Sequence, residues 1–211
     1  MSAVGEVLSA QAFDGTESVP LSLRGPAPPR VVAGFGFWLF LLSDILIFAS
    51  LFAAYAVLSG ETAGGPGGAQ LFDMRHVFIE TACLLASSVT CGFGSLAMQR
   101  AERAGTYFWM ALTFVLGAIF LGLEASEFAS MVAAGAGPSH SAFLSAFFTL
   151  VGTHGLHVTV GLAWLIVMLL QVATLGFQPM IGRRFFCFAL FWHALDIVWV
   201  GVFTIVYLGA H

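Results

Sequence analysis

The sequence predicts an all-α membrane protein of five transmembrane helices, with the N-terminus cytoplasmic and the C-terminus on the periplasmic side. Composition is the first ground: the 211 residues are 59% hydrophobic and 9% charged, too few charges to clothe the surface of a soluble domain of this length. The second is five continuous apolar runs, each near the ~20 residues a helix needs to cross about 30 Å of hydrocarbon. A β-barrel would show weak alternating segments instead. The third is charge placement. Lysine is absent, so every positive side chain is arginine, and six of the seven arginines fall on one side of a five-span topology. That side holds Arg24, Arg30, Arg100, Arg103, Arg183 and Arg184, whereas the opposite side holds only Arg75. Positively charged loops stay inside, which sets the orientation.

Residues 1–34 are polar and rich in Pro and Gly, with no apolar stretch of signal-peptide type, and read as a largely irregular cytoplasmic tail. Residues 35–211 form the membrane domain. Its first span runs Phe35–Leu58 and carries Asp44 about a third of the way in. A Gly/Pro-rich segment, Ser59–Gln70, follows as a flexible external loop. The second span, Val77–Met98, has Glu80 near its external end beside Arg75 and His76. Tyr107–Met131 is the third, with Glu124 and Glu127 three apart, on one helix face and toward the external end. Ala142–Leu175 is longer than a bilayer requires, which implies tilt or protrusion, and places His154 and His157 on one face. The fifth, Phe185–Leu208, repeats that spacing with His193 and Asp196.

Ionisable groups at the centre of a bilayer cost roughly 2.5–3.5 kcal/mol each on insertion scales, so they turn toward a helix partner or a cavity. Three readings stand for these. Histidines on two helices could clamp a b-type haem, although His154 and His157 are too close along one helix to be opposed axial ligands. Carboxyls and imidazoles could mark a proton path. They could also form a satisfied polar network that binds helix to helix or anchors lipid headgroups, with Asp44 paired to a histidine of the fourth or fifth helix. Small residues (Ser87, Cys91 and Ser95 on the second helix; Gly152, Gly155 and Thr159 on the fourth) would permit close helix approach. Clusters such as Phe35/Phe37/Trp38 and Tyr107/Phe108/Trp109 read as interfacial belts. Cys83, Cys91 and Cys187 lack metal-ligand spacing and read as packing residues. No phosphate-binding loop occurs, and Ser145 near His154 does not sit in a nucleophile elbow. The small net charge of −4 gives no nucleic-acid footprint.

Five segments resemble a known family: Gly36–Leu58, Thr62–Pro66 (TAGGP), Gly122–Phe128 (GLEASEF), Ser141–Leu162 (containing GTHGLHV) and Leu190–Leu208 (containing WHALDIVW). Together they are similar to subunit III of the haem-copper respiratory oxidases, closest to the cytochrome bo type ubiquinol oxidase. The resemblance implies a five-helix, V-shaped two-bundle subunit in the bacterial inner (plasma) membrane. It implies a non-catalytic accessory role in a proton-pumping ubiquinol:oxygen oxidoreductase, supporting assembly, stability, lipid binding and proton uptake. Haem b, haem o or a, and copper would belong to the partner catalytic subunit, and this chain would hold none of them. Subunit I would be the main contact, subunits II and IV further partners, and phospholipid would lie in the helix crevice. Asp44, Glu80, Glu124, Glu127, His154, His157, His193 and Asp196 would then be structural or lipid-associated rather than catalytic. Family members often carry glutamate where this chain has Asp44, one methylene shorter.

Overall fold

The computed structural model describes residues 29–65 and 67–210, so the expected tail up to residue 28 lies outside the described residues. By backbone contacts the chain divides into Met1–Val32 and Ala33–His211. The first is described only at the opening turn of a helix. The second holds the rest.

Five long helices follow one another: α1 Pro29–Leu58, α2 Met74–Gln99, α3 Arg103–Ala133, α4 Ala142–Leu175 and α5 Pro179–Val202. α5 continues through a widened turn, Phe203–Tyr207, and a tight one, Leu208–Ala210. All five are long and apolar enough to cross a membrane, and the described residues contain no strand. The fourth span has the expected ends, whereas α1 begins at Pro29, six residues before Phe35. Proline suits a first helical turn, where its missing N–H would have no partner. α2, α3 and α5 likewise start a few residues early, and Asp73 caps α2 by accepting the Arg75 N–H at 3.0 Å. α3 ends on Gly135 at φ 81°, with the Ala136 N–H closing back to Met131 O at 2.9 Å.

Helices α2 to α5 form a closed antiparallel ring in which each packs on the next and α5 returns to α2. Small residues set the closest approaches. A Cβ on Gly94 of α2 would lie 2.7 Å from the Met110 side chain of α3, and one on Gly161 of α4 would lie 2.9 Å from Trp192 of α5. Polar bonds cross the same seams. Trp192 Nε1 donates to Ser87 Oγ at 3.0 Å, Trp199 Nε1 to Thr81 Oγ1 at 3.0 Å, and Thr90 and Thr113 share a bond of 2.8 Å. The expected small-residue stripes are only partly what packs. Thr159 is exposed, and Gly94 rather than Ser95 takes the tight contact on α2.

α1 lies outside the ring, beside α4 and α5. Its buried positions recur every seven residues (Gly34, Leu41, Phe48, Tyr55), and Phe37, Asp44, Leu51 and Leu58 are half-buried between them. That is the seam of a left-handed helix pair, one knob every three to four residues. The rest of α1 is open apolar surface, Phe35 and Leu46 each being 66% exposed. The loop between α1 and α2 carries a short ordered element. Gly68–Leu71 makes a helical turn, and Phe72 behind it is buried against Phe147 and Tyr207, with ring centroids 4.9 and 4.7 Å away.

Candidate functional site: the polar groups inside the bundle

The ionisable side chains sort into three places. The first is the seam between α1 and the ring, where Asp44 Oδ1 lies 3.6 Å from His157 Nε2. The i−4 carbonyl of Thr153 is 2.7 Å from His157 Nδ1, which orients the imidazole toward α1. Asp44 occupies a seam position of α1, and a shallow, nearly filled groove lined by Leu41, Phe48, Phe191 and Leu195 runs beside it. This is the contact of Asp44 with a fourth-helix histidine that the sequence suggests.

The second lies between α2 and α5. Ser88 Oγ and His193 Nδ1 are 2.7 Å apart, and Asp196 is one turn further along α5 with Oδ1 unpartnered. The two histidine pairs therefore do not face one another, because His193 turns to α2 while His157 turns to α1.

The third is the end of the bundle where α2 begins and α3 ends. Glu80 is fully buried, Glu124 is 3% exposed and Glu127 is 8% exposed. Tyr207 donates its hydroxyl to Glu127 Oε2 at 3.0 Å. His76 Nε2 is 3.5 Å from Glu80 Oε1 and 3.3 Å from Leu123 O, so its contact with the carboxyl is electrostatic rather than a formed hydrogen bond. Glu124 sits against the backbone of α4 because residue 155 is glycine; a Cβ there would be 2.5 Å from Glu124 Oε1. Sequence reasoning placed these carboxyls separately. Their place at the same end of the spans was the available signal, but which helix faces meet is a property of packing.

His154 belongs to no pair. It is fully buried, neither ring nitrogen has a hydrogen-bond partner, and its ring stands 5.2 Å from Trp199, 5.8 Å from Phe120 and 6.3 Å from Phe48. Aromatic rings of α1, α3 and α5 thus pack around the imidazole. Among the described residues, no group of three His, Cys, Asp or Glu is placed to hold a metal ion.

Hydroxyls and indoles join the helices of the ring, and ionisable side chains meet on separate seams. A known family has this pattern of spans and motifs, and its model, cytochrome c oxidase subunit III, matches residues 22–211. The chain belongs to that family. A cytochrome bo(3) ubiquinol oxidase subunit 3 from Pseudomonas aeruginosa is 52% identical over 174 residues, covering 82% of this chain and 83% of the relative. A quinol oxidase subunit 3 from Bacillus subtilis is 45% identical, covering 82% and 85%. A cytochrome c oxidase subunit 3 from Bacillus sp. (strain PS3) is 44% identical over 203 residues, covering 96% of each. This subunit III is thus a multi-pass membrane protein within a haem-copper oxidase family whose relatives are named for both quinol and cytochrome c enzymes.

Proposed function

We propose that this chain is the accessory subunit III of a proton-pumping ubiquinol:oxygen oxidoreductase in a bacterial inner membrane. The observation that carries the reading is the 52% identity to a ubiquinol oxidase subunit 3 across 82% of the chain. The subunit holds its partners and performs no electron transfer of its own; the buried hydroxyls and indoles of its core are taken up by helix–helix contacts. Electron transfer and oxygen reduction belong to a catalytic partner, subunit I, carrying haem b, haem o or a, and copper, with subunits II and IV completing the complex. The N-terminus faces the cytoplasm and the C-terminus the periplasm, following the arginine asymmetry.

The V-shaped crevice is part of this proposal. α1 touches the ring along one narrow seam, so α1 is one limb and the ring the other, with apolar flanks that suit phospholipid chains. Lipid held there would stiffen the junction and contribute to assembly and durability, while the broad exposed face of α1 suits a further transmembrane partner.

The test is purification of the tagged chain in mild detergent, with visible spectra before and after stripping its partners. Haem in the intact complex and none in the stripped chain is the expected result; haem retained by the isolated chain would overturn it. A second reading, subunit III of a cytochrome c oxidase, is favoured by the 96% coverage of the PS3 relative. The purified complex decides between them by oxidising ubiquinol or reduced cytochrome c.

A further inference from the structure

The outer carboxyl group of the bundle is not explained by holding helices together. Glu80 reaches in from α2, fully buried, and neither of its oxygens has a hydrogen-bond partner. Glu124 on α3 leaves Oε2 unpartnered, and only Glu127 has a donor, the Tyr207 hydroxyl. The three lie within electrostatic reach of one another. The packed elements offer little charge to balance them. α2 offers Asp73, exposed Arg75 and His76; α3 offers the two glutamates; α4 offers His154; the end of α5 offers Tyr207. Among the described residues, the only basic group within 4.0 Å of any of these three carboxyls is His76, and no arginine pairs with them.

Three like charges beside one partly exposed histidine, away from water, repel strongly and lose their hydration. Buried oxygens without donors, beside no basic side chain but one histidine, are best satisfied by hydrogen ions. We infer that Glu80, Glu124 and Glu127 form a proton-holding cluster on the outer half of subunit III, filled from the external aqueous face through His76. His76 is the outlet because its side chain is 31% exposed while still reaching Glu80 Oε1. Within the cluster, Tyr207 fixes Glu127 as the member that accepts a hydrogen bond. The step is simple protonation: a carboxylate takes a hydrogen ion from outer water by way of the imidazole, with no bond to carbon changed. It goes beyond the accessory role, and stands or falls apart from the electron donor.

Infrared spectra of the intact purified oxidase complex in H₂O and D₂O test it. The C=O stretch of protonated carboxyls, distinct from that of ionised carboxylates, is compared between wild type and Glu80→Gln or Glu124→Gln. Loss of a protonated-carboxyl band that shifts in D₂O is the expected result in each variant. His76→Phe should keep the band and slow its exchange into D₂O several-fold. Loss of ionised-carboxylate bands only would overturn the proposal, and unchanged exchange in His76→Phe would overturn the route. Failure of both glutamine variants to assemble would count against it too, because glutamine matches the shape of the neutral acid that the proposal requires.

Discussion

α1 and α2 are neighbours in sequence and opposites in packing. α1 is the more apolar of the two, yet only 17% of its most apolar stretch is buried in the protein, against 50% for α2. In water that order would be reversed. Inside a bilayer, lipid tails are as apolar as leucine, so a leucine-rich face gains little by leaving lipid for protein. α2 is held by what lipid cannot supply: Thr81, Ser87 and Thr90 make bonds to other helices, and Gly94 lets α3 approach. α1 has a seam of side-chain knobs and one ionisable contact. Hydropathy marks which segments enter the membrane; small and hydroxyl residues mark which of them pack.

The contrast can be broken most severely at Gly161, where a side chain would collide with Trp192. Gly161→Leu should destabilise the ring by about 3 kcal/mol or more, the upper range for overpacking, and lower the temperature at which the complex retains the subunit. Gly36→Leu on α1, where an added Cβ meets nothing within 4 Å, should leave that temperature unchanged. If the two behave alike, α1 is packed as tightly as the ring. Next comes Thr81→Val, which keeps shape but leaves the buried Trp199 Nε1 without its acceptor. A loss of about 1–2 kcal/mol in a reversible membrane unfolding assay is expected.

A smaller effect belongs to the α1 seam. A double-mutant cycle of Asp44→Asn and His157→Gln should give a coupling of about 0.5 kcal/mol, since the contact is 3.6 Å long and both side chains are partly exposed. A coupling several times larger would make the pair, rather than the knobs, what holds α1. Least of all, Leu46→Ala on the open face of α1 should change the stability of the stripped chain by no more than about 0.5 kcal/mol. Reduced co-purification by that same variant would identify the open face as a partner surface.

Much of this was legible in advance. The five spans were, because each is a continuous apolar run, and so was a contact between Asp44 and a histidine of the fourth or fifth helix. The seam of α1 was hidden for a physical reason: Leu41, Phe48 and Tyr55 are flanked by residues just as apolar, so no periodicity separates the packed side from the lipid side. Ser59–Gln70 reads as a loop because of its glycines; its last residues enter a short helical turn, Gly68–Leu71, with buried Phe72 just beyond it. The indole bonds of Trp192 and Trp199 were also unread, since tryptophan in a membrane segment suggests a belt before it suggests a donor to a buried hydroxyl.

By itself the sequence determined that the chain crosses a membrane five times and which residues would be costly there, because transfer into hydrocarbon depends on each segment's own composition. It also carried the family, through runs such as GTHGLHV and WHALDIVW. Only the tertiary structure decided that α2 to α5 close into a ring with α1 outside, that His157 and His193 face different helices, and that Glu80 meets Glu124 and Glu127. Those outcomes depend on how helices rotate about their own axes, and rotation is set by contacts between segments far apart in the chain.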